Sequence, residues 1–140
     1  MIKRTFDADR VNEIVNAPTI RPYIGGDPEA WIDLSAAVAD DQNFFLMGDQ
    51  GGFSCVWTAP ETFEVHTFIL PDGRGQWAID AVKNALGIMK EHAALLWTRV
   101  HPDARHTRIF TLKAGFKPCG RHRADFGAGT VEFDLFNWRY

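Results

Sequence analysis

The spacing of apolar residues changes several times along the chain, and each change predicts a new element of secondary structure. Apolar residues recur at helical spacing over 7–16, and Pro18 ends this first helix. The stretch 19–29 is rich in proline and glycine, so we expect turns there that could form an exposed flap, followed by a short helix at 31–39. Three apolar runs with turn residues between them then predict a meander of strands, at 43–47, 52–58 and 62–70.

Helices and strands alternate in the second half of the chain. The residues from Gly75 to His92 place apolar side chains on one stripe and polar ones opposite, which is the strongest helix pattern in the sequence. The remaining predicted elements are a strand at 94–100, a helix at 104–114 closed by Gly115, and strands at 116–121 and 129–136.

The order of these elements predicts the fold class. Because a helix connects the strand at 62–70 to the strand at 94–100 as a crossover, these two strands should run parallel. We therefore expect a single α/β domain over residues 1–140. Its mixed sheet should be mostly antiparallel, with a central parallel strand pair and helices on both faces.

Composition and charge restrict the classes of partner. The chain has 140 residues, 46% of them hydrophobic, a size at which about two thirds of the unfolded surface is buried around one core. The formal charge is −3 and no run of Lys or Arg exceeds two, so we expect no nucleic-acid partner. The N-terminus lacks the apolar stretch of a signal peptide and no segment approaches the ~18 apolar residues of a membrane span. We therefore expect a cytoplasmic protein with no membrane partner.

The two cysteines do not predict a functional site. Cys55 and Cys119 lie far apart and match no metal-ligand or redox spacing. We expect reduced side chains and no metal.

The junction between the strand at 62–70 and the helix at 75–92 is the first candidate site. The first turn of a helix leaves backbone N–H groups unpaired and carries partial positive charge, and Gly75 lets a ligand approach the backbone closely. Such a junction holds pyrophosphate well, and Arg74 can add a contact to a phosphate oxygen. The same residues could form an ordinary turn in which Gly73 and Gly75 only relieve backbone strain. The P-loop and the dinucleotide-binding glycine patterns are both absent.

A longer pattern surrounds this junction. It consists of the strand at 62–70, a Pro-x-x-Arg-Gly loop at 71–75, a long helix, a strand ending in Pro102, and a helix closing in Lys-Ala-Gly-Phe at 113–116. In order and spacing these features resemble the core of the GNAT superfamily of N-acetyltransferases. The Glu-Val-His-Thr sequence at 64–67 is similar to phage-encoded members. The resemblance implies an acetyl-CoA-dependent N-acetyltransferase acting on a small-molecule or protein amine, with acetyl-CoA as co-substrate.

The resemblance also implies where acetyl-CoA would bind. The residues expected to bind it are Phe68, Ile69 and Leu70 along the pantetheine arm, and Arg74, Gly75, Gln76, Trp77 and Ala78 around the pyrophosphate. The slot for the arm would come from strands that splay apart. The family usually has small residues where this chain has Trp77 and Ile79. Trp77 could narrow the phosphate seat or point into the core.

Acetyl transfer to an amine needs a base for the amine and a proton for the departing thiolate. The two-residue period of a strand places Glu64 and His66 side by side on one face. The resemblance favours Glu64 as the base, whereas His66 competes because imidazole titrates near neutral pH. The two could also form a buried polar pair without a catalytic role.

Two departures from the family concern the proton donor. Thr111 occupies the position of a common family Tyr, and Asp103 stands where an Asn often follows the strand-ending Pro. Three outcomes stay open. Another residue such as His106 could donate, the mechanism could lack a dedicated acid, or the protein could be a non-catalytic binding or assembly protein with this fold, such as a phage accessory or virion component.

Several further groups have surface interpretations beside functional ones. The cluster Arg105, His106 and Arg108 lies where the family often places adenosine, and the stretch 121–123 could bind an acidic substrate or a partner. Both could equally be solvated surface. The apolar segment 136–140 should dock on the sheet or on a second subunit, which makes a homodimer a further hypothesis.

Overall fold

Seven strands form one sheet in the computed structural model, which describes residues 1–125, 127 and 129–140. The strands are β1 (Lys3–Arg4), β2 (Phe44–Gly48), β3 (Gly51–Ala59), β4 (Thr62–Ile69), β5 (Leu95–Val100), β6 (Lys117–Asp125) and β7 (Thr130–Arg139). The helices are α1 (Ala8–Val15), α2 (Ser35–Ala39), α3 (Gln76–Met89) and α4 (Arg105–Lys113). Short 3₁₀ turns occupy Arg21–Tyr23 and Pro71–Gly73.

The order of strands across the sheet is β1-β2-β3-β4-β5-β7-β6. Every neighbouring pair among the described strands is antiparallel except β4 and β5, which run parallel. The predicted mixed sheet with a central parallel pair is therefore confirmed. The α3 crossover requires this arrangement, because a strand that returns through a helix on one face re-enters the sheet in the same direction.

The sheet separates two apolar clusters. α3 and α4 pack on one face, against strand residues that include Phe44, Leu46, Phe53, Phe63, Ile69, Leu96 and Phe136. α1 and α2 cover the other face, against Phe45, Met47 and Phe68. Helices therefore lie on both faces, and the predicted alternation along β4 is confirmed, with Phe63 and Ile69 on the α3 side and Phe68 on the α1 side.

The predicted helix at 31–39 is shorter in the structure, where it begins at Ser35. The preceding residues stay outside the helix because side chains of Asn12 in α1 and of Asn16 just after it bond their backbone. Asn16 Oδ1 accepts the Ile32 N–H at 2.8 Å, and Asn12 Oδ1 accepts the Leu34 N–H at 2.8 Å. These bonds substitute for the helical bonds that the sequence pattern suggested.

The two ends of the chain join the sheet. The sequence pattern missed β1 because its two residues are too few to show a period, and they pair with Leu46 and Met47 of β2. At the other end β7 lies between β5 and β6, and the Tyr140 hydroxyl donates to the Leu86 carbonyl at 2.5 Å. Docking of the C-terminal segment on the sheet is thus confirmed. Within the described ranges, no helix is long and apolar enough to cross a membrane.

Candidate functional site

A wedge opens between the two parallel strands. β4 and β5 pair only from Thr62 to Glu64 on the β4 side, after which β5 keeps its pairing with β7 up to Val100. Beyond the last pair, Thr98 Oγ1 donates to the Val65 carbonyl at 2.8 Å. The C-terminal half of β4 therefore faces an opening rather than a neighbouring strand, as at ligand sites of other open α/β sheets.

The backbone of β4 alternates between β3 and this wedge. The Leu70 N–H bonds to the Gln50 carbonyl at 2.9 Å, so Leu70 and Phe68 direct their backbone groups toward β3. Ile69 and Thr67 must direct theirs toward the wedge, in line with the Val65 carbonyl. Of the three predicted pantetheine residues, Ile69 thus faces the wedge with its main chain. Thr67, which the sequence prediction did not name, directs its main chain the same way, although the two-residue period contained the signal.

The N-terminus of α3 lies at the same end of β4. Gly75 occupies the N-cap position with φ 105° and ψ −135°, a conformation open essentially to glycine alone. The first intrahelical bond runs from the Ile79 N–H to the Gly75 carbonyl at 3.2 Å. The N–H groups of Gln76, Trp77 and Ala78 precede that bond, and within the described part of the chain no side chain caps this end. These donors are available to an anion.

The Trp77 side chain points into the core rather than over the first turn of α3. It packs against the apolar cluster on the α3 side of the sheet. A Cβ built on Gly48 would lie 3.2 Å from Trp77 Cζ2, and one built on Gly73 would lie 3.1 Å from its Cε3. Of the two directions open to Trp77 in the sequence, the structure therefore shows the one that leaves the helix N-terminus accessible.

Arg74 links the loop before α3 to the turn-rich segment. Its Nη2 donates to the Thr19 carbonyl at 3.2 Å, and the residue stays exposed. The turn-rich segment that begins at Thr19 is thereby held next to the loop before α3. Among the described residues the Thr19 carbonyl is the one hydrogen-bonding partner of the Arg74 guanidinium, so its remaining donors are free to meet a phosphate oxygen.

Glu64 and His66 are in contact on the face of β4 opposite α3. Glu64 is 7% exposed, and its Oε1 accepts from His66 Nε2 at 2.8 Å. The same oxygen accepts from Arg99 Nη2 at 3.2 Å. Arg99 comes from β5, two residues beyond the Trp97 that is paired with Glu64. Sequence reasoning missed Arg99, because its proximity to Glu64 depends on the register of two distant strands.

The environment of Glu64 favours its charged form. Burial raises the pKa of Glu64, but the hydrogen bond and charge of His66, followed by the charge and hydrogen bond of Arg99, outweigh burial and lower this pKa below its ordinary value. Glu64 is therefore a carboxylate already engaged by two donors. The His66 side chain is 44% exposed and open to solvent.

Comparisons with known proteins identify the fold. No family model matches the chain, and no curated protein matches it in sequence. Solved structures match nearly all of it. An acetyltransferase of the GNAT family from Bacillus anthracis has 16% identity and a TM-score of 0.68, covering 99% of this chain and 93% of that one. The chain has the GNAT fold.

Two further structures with this fold were solved with ligands. The microcin C7 self-immunity acetyltransferase, in complex with acetyl-CoA and AMP, has 11% identity and a TM-score of 0.70, covering 99% of this chain and 92% of that one. A spermidine N-acetyltransferase from Vibrio cholerae, in complex with CoA and spermine, has 15% identity and a TM-score of 0.69, covering 98% of this chain and 92% of that one. The GNAT fold thus extends over 98–99% of the chain.

Thr111 is not placed to act as an acid in this GNAT fold. Its hydroxyl donates to the Thr107 carbonyl one turn earlier in α4, at 2.8 Å, and the residue is buried. The hydroxyl proton is therefore committed to the helix backbone.

The predicted basic clusters are partly neutralised. Arg108 Nη1 contacts Asp134 Oδ2 at 2.6 Å, and Arg121 Nε lies 3.5 Å from the other Asp134 oxygen. Arg123 pairs with Glu132 at 3.2 Å. These arginines are thus tied to β7, while Arg105 and His106 of the first cluster remain exposed at the start of α4.

A groove of about 680 Å³ runs along α1 and reaches the end of β4. Its lining includes Trp31, Asp33 and, of the predicted site residues, only Leu70. The groove therefore meets the end of β4 at Leu70 without containing the Glu64–His66 pair. Within the described residues no group of three His, Cys, Asp or Glu is placed to hold a metal ion.

Proposed function

We propose that this protein is an acetyl-CoA-dependent N-acetyltransferase that transfers an acetyl group to an amine. The observation that carries the proposal is the open wedge between β4 and β5 with the uncapped N-terminus of α3 at its mouth. Proteins of the same fold bind acetyl-CoA or CoA, which supports the same cofactor here.

The residues at the wedge fit the parts of acetyl-CoA. The pyrophosphate would lie on the N–H groups of Gly75 to Ala78, where the dipole of a 14-residue helix adds partial positive charge. A Cβ at Gly75 would meet nothing within 4 Å, so space is open beside this backbone. The pantetheine arm would take the place of a neighbouring strand along Thr67 and Ile69. Arg74 would add a charge-assisted contact to a phosphate.

The base that acetyl transfer needs would come from the Glu64–His66 pair. The bound cofactor supplies an activated acetyl group, and the Glu64–His66 pair would receive the proton of the acceptor amine. Because the Thr111 hydroxyl is committed to α4, we assign it no role as proton donor to the thiolate. The acceptor class stays broad in this proposal, as a small-molecule or protein amine.

Calorimetry and a thiol-release assay test the proposal. We expect heat of binding with acetyl-CoA and with CoA, and release of free CoA thiol that depends on an added primary amine. Absence of binding up to millimolar acetyl-CoA would remove the cofactor assignment. Binding without thiol release for any amine in a broad panel would instead leave a non-catalytic binding protein with the GNAT fold.

A further inference from the structure

We propose that Arg99 is a positioning residue for acetyl transfer, which acts through Glu64 to hold His66 with its proton on Nε2 and its lone pair on Nδ1. His66 Nδ1 is then the atom that accepts the proton of the acceptor amine. This inference rests on the proposed function and assigns the roles within its site.

The hydrogen-bonding chemistry of the three side chains dictates the tautomer. An ionised carboxylate only accepts hydrogen bonds, so the imidazole nitrogen 2.8 Å from Glu64 Oε1 must carry a hydrogen. That nitrogen is Nε2, which leaves Nδ1 as the basic nitrogen of the neutral ring. Within the described residues, Glu64 is the one hydrogen-bonding or ionic partner of the His66 side chain, so Nδ1 is available to a substrate.

Arg99 keeps the carboxylate in the form that this arrangement needs. Its Nη2 and His66 Nε2 converge on the same Glu64 oxygen, at 3.2 and 2.8 Å. A buried carboxylate without a cation would tend to take up a proton, and a protonated Glu64 could then donate to His66 instead of accepting from it. The arginine contact removes this alternative, because it stabilises the negative charge of Glu64.

The guanidinium is itself held in place. Its Cζ lies 5.9 Å from the Trp97 ring centroid and 5.6 Å from that of Phe133, on the neighbouring strand β7. Arg99 therefore reaches from β5 to Glu64 at the point where β4 and β5 begin to separate. The Arg99–Glu64 contact joins β5 to β4 at the closed end of the wedge, beside His66, which would take the proton.

The proton balance of the reaction is complete with this assignment. The acceptor ammonium gives a proton to Nδ1, the amine nitrogen forms a C–N bond with the thioester carbon, and the C–S bond breaks. The imidazolium returns its proton to the departing thiolate, while the second nitrogen proton goes to water. Arg99 and Glu64 touch no reacting atom, so only His66 is a catalytic residue in this scheme.

A double-mutant cycle on the full chain tests the inference. Arg99→Met should lower kcat by about tenfold or more, with little change in the KM for acetyl-CoA, and Arg99→Lys should recover part of the loss because it restores the charge. In a His66→Ala background, Arg99→Met should cause no further loss, since it acts through the missing imidazole. Arg123→Met is the matched control, because it removes an exposed arginine–carboxylate pair of the same 3.2 Å length.

Nitrogen-15 NMR of the imidazole adds a readout that needs no turnover. Above neutral pH we expect the protonated nitrogen of His66 to be Nε2, with tautomer exchange increased by Arg99→Met and unchanged by Arg123→Met. A ring protonated on Nδ1 in the wild-type protein overturns the inference. If the wild-type protein turns over, an equal loss of kcat from Arg99→Met in the wild-type and in the His66→Ala background also overturns the inference. Absence of any turnover with all amines is the different result that removes the proposed function.

Discussion

Replacement of Gly75 by alanine isolates the backbone geometry of the phosphate seat. The added methyl group would meet no atom within 4 Å, so the substitution causes no steric clash with neighbouring residues. It does force an L-residue into φ 105° and ψ −135°, which costs about 1–3 kcal/mol. The chain must either bear this strain or rotate the peptide groups at residue 75. Such a rotation would turn the N–H groups at the start of α3 away from the position proposed for the phosphate.

The strain lowers stability if the free folded protein bears it, and it lowers cofactor affinity if the chain relaxes until the cofactor binds. If the strain is borne only in the bound conformation, about 1–3 kcal/mol corresponds to an increase in the Kd for acetyl-CoA of about 5- to 150-fold. Gly87→Ala is the control, because Gly87 is an exposed residue inside α3 whose Cβ would also meet nothing within 4 Å. Alanine should stabilise that helical position by about 0.5–1 kcal/mol and leave affinity unchanged.

Denaturant unfolding and calorimetry on the two variants distinguish the effects. A Gly75→Ala protein with wild-type stability and wild-type affinity would show that residue 75 does not need the left-handed conformation. Weaker binding in both variants would instead indicate a general disturbance of α3. The first outcome would refute the assignment of the α3 N-terminus as an anion site held in place by glycine, and the second would show that the loss in Gly75→Ala does not arise at that site.

Three other predictions concern stability and reactivity. Arg21→Met removes a buried guanidinium that donates to the carbonyls of Gly25, Asp27 and Ala30, so we expect a loss of about 1–3 kcal/mol and faster proteolysis within 19–34. The lowered pKa of Glu64 contributes stability that is present above its unfolded value of about 4.3 and is lost as the pH falls through the lower folded value. The decrease in denaturant midpoint from pH 7 to acid should therefore be smaller in Glu64→Gln. Burial raises the pKa of the Cys55 thiol to about 12, so a thiol reagent should titrate only exposed Cys119 in the native protein and both thiols after unfolding.

The reactivity of Cys119 has a practical consequence for the activity assay. A reagent that detects free CoA thiol also detects this exposed side chain. A Cys119→Ser variant with unchanged turnover would remove that background.

Measurements of sedimentation on the same variant would test the predicted homodimer. The homodimer and the cytoplasmic location both stay predictions.

Local patterns were sufficient for most of the architecture. The apolar stripe of α3 and the alternation along β4 report directly which side of each element is buried, because burial repeats with the period of the backbone. The crossover between β4 and β5 then leaves only the parallel orientation. The glycine at the start of α3 also marked the candidate phosphate seat, since few other residues adopt its conformation.

Contacts between distant elements could not be predicted in the same way. Arg99 meets Glu64 across 35 positions of sequence, and the direction of Trp77 depends on glycines in β2 and in the turn before α3. Periodicity gives the face on which a residue lies, but its neighbour on that face depends on strand order and register. Strand order and register are set by the packing of the whole sheet. Local periodicity by itself determined only the strand-loop-helix arrangement and the placement of Glu64 and His66 on one face of β4. Only the tertiary structure showed the arginine on that pair, the indole packed away from the helix N-terminus, and the residue at which β4 and β5 separate.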